Sequence, residues 1–259
     1  MYPRLLHIYG PLWIHSYGFM IALGFLLFLF LSHRHFKKLQ IISSEQFFNI
    51  IFLGLVAGII GGRLFFVFSD WDALSANWLE VFYPWVGGFG ILGSIIAVLI
   101  AATIYLKIHR IPVLPVFDVV SIYAPLLQAV SRLGCFFAGC CYGKIVSKDF
   151  WIAVKFSNPN GLAPLNVWLH PAQLYSVFAS LLIFLLMLIK SKFFYSKTGQ
   201  LIFTYLIAES ISRFVVDFWR GDRDFVDFYF LSGFSSSQVV AFGLFIFGVI
   251  GYICLVKKK

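Results

Sequence analysis

The sequence predicts an all-α polytopic membrane protein of about seven transmembrane helices, read as a single transmembrane domain over residues 1–259. Three observations predict it. Of the residues, 61% are hydrophobic and 12% charged, against about 45–50% and about 25% in a soluble domain. The apolar residues fall in continuous runs long enough to cross a hydrocarbon core of about 30 Å. Those runs do not alternate every second residue, so a β-barrel is excluded. Disorder and a water-soluble body are excluded by the composition.

In chain order the runs lie near 13–31, 47–68, 87–106, 116–137, 169–189, 201–219 and 238–256. The first begins at Trp13 without a charged leader or a small-residue cleavage site, so no cleavable signal peptide is expected. In the second, Gly54, Gly58 and Gly62 recur every four residues, a spacing that lets helices approach closely. The third opens on Gly87, Gly88, Gly90 and Gly93, whose backbone N–H groups suit an anion at a helix N-terminus. The fourth carries Arg132 and runs into Cys135, Cys140 and Cys141; the fifth opens on His170, Gln173 and Tyr175. The sixth is the weakest, because it contains Glu209, Arg213 and Asp217.

Lys and Arg in the connections set the expected orientation. One side holds eleven (Arg34, Lys37, Lys38, Lys107, Arg110, Lys190, Lys192, Lys197 and Lys257 to Lys259). The other holds six (Arg4, Lys144, Lys148, Lys155, Arg220 and Arg223). The N-terminus is therefore expected outside and the C-terminus in the cytoplasm. Asp70, Asp72 and Glu80 with nearby tryptophans suit an external loop, as do Trp151, Trp168 and the Asn158–Gly161 turn in the longest connection, about 143–168. The formal charge of +9 is not gathered into a basic and aromatic RNA-binding pattern, so no nucleic-acid partner is expected.

Three arginines fall inside predicted spans: Arg63, Arg132 and Arg213. A charge at the bilayer centre costs roughly 3 kcal/mol, so each marks a functional hypothesis. All three are expected at similar depth on the outer side, near Tyr17, His170, Gln173 and Tyr175. Guanidiniums there would hold a phosphate, because Arg donates bidentately to its oxygens. The rival reading is structural pairing: Glu209 and Asp217 each stand four residues from Arg213.

Three readings stand for the cysteines: small buried side chains, a Cys135–Cys140 disulfide, or a thiolate made reactive by Arg132. Their C-x4-C-C spacing is neither C-x-x-C nor a zinc pattern, so no metal is expected, and no cofactor either.

The strings HSYGFMIALGF, GGRLFFVF, GGFGILGS, SRLGCFFAGCCYG, HPAQLY and SRFVVDFWRGD follow one another along most of the chain. Together they resemble prolipoprotein diacylglyceryl transferase, a family of bacterial cytoplasmic-membrane enzymes. The resemblance implies seven helices, an external N-terminus, phosphatidylglycerol as donor and the lipobox cysteine of a prolipoprotein as acceptor. It implies catalytic roles for Tyr17, Arg132, Arg213 and Asp217, the last where the family has Glu; Glu209, four residues before Arg213, is counted with them as a catalytic candidate of this chain. Substrate binding would fall to Arg63, Gly87, Gly88, Gly134, Gly143, His170, Gln173 and Tyr175.

The chain departs from the family pattern at several positions. Leu92 stands at the usual histidine of the third string, Cys135 at an asparagine and Cys140 at a glutamate. Glu209 replaces a tyrosine and Ser176 a glutamate. Leucine cannot take a proton, so a mechanism built on that histidine does not apply. Three other functions therefore stand beside diacylglyceryl transfer: the same lipid donor with another acceptor, a thiol oxidoreductase using the cysteines, and a non-catalytic lipid-binding relative.

Overall fold

The computed structural model describes residues 2–9, 12–69, 90–193, 197–223 and 233–257. Seven helices occur among them: α1 Ser16–Leu39, α2 Ser44–Ser69, α3 Ile91–Ile108, α4 Val113–Ala138, α5 Ala172–Phe193, α6 Gln200–Asp217 and α7 Ser236–Lys257. Two short antiparallel pairs accompany them, β1 Arg4–Tyr9 with β2 Leu12–His15 and β3 Val154–Lys155 with β4 Trp168–Leu169. Six helices are long and apolar enough to cross a membrane. The exception is α6, whose 18 residues include Glu209, Arg213 and Asp217.

The helix ends differ from the expected boundaries for local reasons. Residues 13–15 belong to β2 rather than to the first helix, since Trp13, Ile14 and His15 pair across to His7, Leu6 and Arg4. Helix α1 starts at Ser16, whose amide and hydroxyl both donate to the Pro3 carbonyl. It then runs past residue 31 until the chain turns at Gln40 (φ +53°). The fifth helix begins at Ala172 instead of 169, because Trp168 and Leu169 are held in β4 and Pro171 suits a helix start. Residues 87–89, Gly87 and Gly88 included, lie outside the described residues, and α3 starts after Gly90.

The chain divides into two compact units, residues 33–116 and residues 1–32 with 117–259. In the first, α2 opens with a reciprocal cap: the Gln46 amide N–H donates to Ser43 Oγ (3.1 Å) and the Ser43 N–H to Gln46 Oε1 (2.9 Å). Its glycine face packs on α3. Gly54 and Gly58 sit over Val98, and the closest approach is Gly61, where an added Cβ would lie 2.7 Å from the Gly93 carbonyl. Close backbone approach of this kind drives helix association where lipid offers no hydrophobic contrast.

In the second unit, Ile122 of α4, Ile183 and Met187 of α5 and Leu201 of α6 form a buried core, flanked by Tyr123, Tyr205 and Ala208. Asp118 is buried inside α4, where a lone carboxylate would be costly. Its oxygens accept the Gly199 amide (2.5 Å) and the Ile202 amide (2.9 Å), so it caps the start of α6 from a neighbouring helix. The connection after α4 has its own core of Phe156, Ala163 and Leu169, packed with Phe136 and Tyr142. Large apolar side chains such as Phe52, Ile100, Phe178, Phe242 and Ile250 are more than half exposed, as a lipid solvent permits.

Candidate functional site

The expected site residues gather at the C-terminal end of α4, and the local backbone explains how. Helix α4 stops at Ala138, and Gly139 follows in the left-handed region (φ +79°), the common glycine helix end. The chain doubles back, bringing Cys140 and Cys141 against Cys135, with all three sulfurs within 4.8 Å of one another. Cys141 also has a positive φ (+53°), a conformation uncommon outside glycine. Among the described residues all four cysteines are free thiols.

The next residues form a crossbar. The Lys144 N–H donates to the Trp219 carbonyl (2.8 Å), the Gly221 N–H to Tyr142 (2.9 Å) and the His170 N–H to Lys144 (2.9 Å). Three connections are thus tied together. Gly143 sits where they cross: any Cβ there would run into the His170 carbonyl oxygen. Gln173, buried at the start of α5, donates Nε2 to the Cys140 carbonyl (2.9 Å). His170, beside it, shares a hydrogen bond of 3.0 Å with the Tyr175 hydroxyl. Burial, then the Lys144 charge, lower the His170 pKa. Tyr17, on the first turn of α1, has its backbone against Gly134 and is within electrostatic reach of Arg132 and the three thiols.

A narrow cavity, with about 20 Å³ of room for the centre of a water-sized sphere, lies between α4, α5 and α6. Arg132, Arg213 and Arg220 line it, with Gln128, Cys141, Ser176 and Glu209. Arg132 Nη1 donates to Cys141 Sγ at 3.5 Å. Glu209 Oε1 accepts from Gln128 Nε2 at 2.6 Å, while its buried Oε2 has no hydrogen-bond partner among the described residues. Among the described residues no ion pair within 4.0 Å joins Arg213 to Glu209 or Asp217. Arg213 thus makes no close ion pair with either, and the Glu209 carboxylate acts on it only at longer range.

Asp217 lines the same cavity, and its oxygens are already bonded. Its Oδ2 accepts from Arg223 Nε (3.0 Å) and from the Ser235 hydroxyl (2.6 Å), and its Oδ1 lies 4.0 Å from Arg220. Arg220 is gripped by Asp222 through two bonds of 3.0 and 3.1 Å. Sequence reading treated Arg220 and Arg223 as connection charges that set orientation. The three-residue step from Asp217 to Arg220 carried the missed signal that Arg220 stays beside the end of α6. Arg63 is buried on α2, over the Phe66 ring at 5.4 Å, within the other compact unit.

The arrangement is a cationic recess beside a thiol cluster, with a buried carboxylate and hydroxyls on its walls. Such a recess suits an anion carried by a lipid. The family model for prolipoprotein diacylglyceryl transferase matches residues 3–254. A Clostridium tetani relative named phosphatidylglycerol–prolipoprotein diacylglyceryl transferase is 36% identical over 251 residues, 96% of this chain and 98% of its own length. Relatives of the same name from Campylobacter jejuni (30% identical over 258 residues, 95% and 91% covered) and Neisseria meningitidis (29% over 279 residues, 99% and 96% covered) agree with it. This chain, a multi-pass membrane protein, belongs to the prolipoprotein diacylglyceryl transferase family.

Proposed function

We propose that this chain transfers the diacylglyceryl group of phosphatidylglycerol to the lipobox cysteine of a prolipoprotein. The observation that carries this reading is the shared cavity of Arg132 and Arg213, with Arg213 unclaimed by any carboxylate within 4.0 Å among the described residues. The lipid phosphate binds the two guanidiniums. The acceptor thiolate attacks the glycerol carbon bonded to that phosphate. A C–S bond forms, the C–O bond breaks, and glycerol phosphate leaves with the electron pair. The arginines act by positioning the donor and offsetting charge on the leaving group. Glu209 and Asp217 line the same cavity, and supporting roles are assigned to Tyr17, His170, Gly134 and Gly143, which stand outside its lining.

The protein is assigned to the bacterial cytoplasmic membrane with its N-terminus outside, so that the site faces the outer leaflet. Lipid transfer to a lipobox peptide in phosphatidylglycerol proteoliposomes tests the reading. Loss of transfer in Arg132→Ala and Arg213→Ala supports it; full activity in the double variant removes it. Leu92, at a position where the family has histidine, favours one second reading: the same donor with a different acceptor. Rescue of cells depleted of the resident diacylglyceryl transferase decides between the two, since only the first restores lipoprotein maturation.

A further inference from the structure

We propose that Cys135, Cys140 and Cys141 form a three-thiolate site for a soft divalent cation, Zn²⁺, whose open fourth position takes the acceptor's thiol. The assignment of that fourth ligand rests on the transfer reading above; the metal site does not.

The geometry carries the first part. Three sulfurs within 4.8 Å of one another need only small side-chain rotations to reach the spacing of about 3.8 Å set by Zn–S bonds of about 2.3 Å in a tetrahedron. The spacing along the sequence hides this. Cys140 and Cys141 are brought back to Cys135 by the Gly139 turn, which no local metal motif describes. The positive φ of Cys141 fixes its side chain on the cavity wall, where it is one of the lining residues.

The electrostatics separate a metal from a merely reactive thiol. The cluster lies at the C-terminus of α4, the negative end of a helix dipole, which favours a cation and opposes a free thiolate. Three thiolates around Zn²⁺ leave one net negative charge, and Arg132 stands 3.5 Å from Cys141 to balance it. Loading the site exchanges three thiol protons for the metal; no electrons move.

Three protein ligands and an open position are the arrangement of catalytic rather than structural zinc. Here the open position borders the arginine-lined cavity. A thiol entering it loses its proton to solvent on binding the metal, as coordinated thiols do. It then stands as a thiolate beside the proposed phosphate. The chamber would thereby activate its nucleophile without the histidine that Leu92 replaces.

The test uses the full chain in detergent with its thiols kept reduced. The protein is stripped with a chelator and titrated with Co²⁺, whose absorption reports tetrahedral sulfur coordination. One Co²⁺ per chain with thiolate charge-transfer bands is expected, displaced by Zn²⁺. Cys141→Ser and Cys140→Ser should lose these bands, and Cys254→Ser should keep them. Zn²⁺ should also protect three thiols of the unmutated protein from alkylation, a readout that needs no variant to fold. Failure to bind one equivalent, or isolation of the cluster as a disulfide that excludes metal, overturns the site. A lipobox cysteine peptide should shift the Co²⁺ spectrum and its serine counterpart should not; equal responses overturn the fourth-ligand assignment. Metal binding is read without turnover, so a chain that loads metal yet transfers no lipid contradicts the transfer reading alone.

Discussion

Arg213 and Asp217 stand four residues apart on α6, yet the Asp217 carboxylate is bonded to Arg223 and Ser235 and leaves Arg213 to the cavity. Both residues line that cavity, Asp217 held by its partners and Arg213 without a carboxylate within 4.0 Å among the described residues.

Asp217→Asn is expected to destabilise the protein by about 3–5 kcal/mol, the usual cost of removing one partner of a buried pair. Asp217 is 2% exposed, and its 3.0 Å ion pair with Arg223 would be lost. Thermal unfolding in detergent measures this. A midpoint equal to that of the unmutated protein contradicts the anchoring role.

Arg213→Ala should behave in the opposite way. It removes a cation from a recess that holds Arg132 and Arg220, so folding stability should stay level or rise. Lipid transfer should fall about 10- to 100-fold, matching the loss of one charged hydrogen-bonding contact of about 1.5–3 kcal/mol. Arg213→Lys should recover only part of it, because an ammonium cannot make the bidentate fork. Steady-state transfer rates against lipid concentration resolve the effect.

Gly143→Ala should cost about 1–3 kcal/mol through overpacking against the His170 carbonyl, and it should loosen the crossbar that holds residues 142–144. Gly243→Ala on α7 is the matched control. Nothing lies within 4 Å of a Cβ there, so helix propensity should leave stability equal or raised. Parallel melting curves of the two variants separate crowding from a general intolerance of alanine.

His170 gives a pH dependence whose sign can be worked out. Its folded pKa lies below its ordinary value of about 6.5, from burial first and Lys144 second. As pH falls below that value the unfolded chain binds the proton first, so stability declines until the lowered folded value is reached. His170→Gln should flatten the unfolding midpoint across that acidic window. An unchanged slope would show that another group supplies it.

Asp118→Asn should weaken the start of α6 by about 1–3 kcal/mol, since a carboxylate accepting two backbone N–H groups is replaced by a weaker acceptor. Hydrogen exchange at Gly199 and Ile202 should rise more than exchange at the middle of α4.

Six of the seven described helices were legible because a membrane span announces itself locally, in an unbroken apolar run, whereas the run of α6 is interrupted by Glu209, Arg213 and Asp217. The hairpin at residues 4–15 was not: Trp13 and Ile14 read as the start of such a run, and only pairing with Leu6 and His7 makes them strand. Arg132 and Arg213 were marked by the cost of burying charge. Their shared cavity and the engagement of Asp217 by Arg223 are tertiary facts. Asp118 escaped notice because its partners lie 81 and 84 residues away. The thiol cluster was visible as a string but not as a site, because the turn at Gly139 decides which sulfurs meet.

That turn has a consequence for how the chamber can change over evolutionary time. The positions of residues 135, 140 and 141 are set by backbone, through a helix end and a left-handed glycine, and not by the side chains they carry. The donor groups offered to the cavity are therefore interchangeable parts on a fixed mount. Oxygen or nitrogen donors could replace sulfur there without a new fold, so one architecture can host different ways of activating a nucleophile while its anion-holding arginines stay in place.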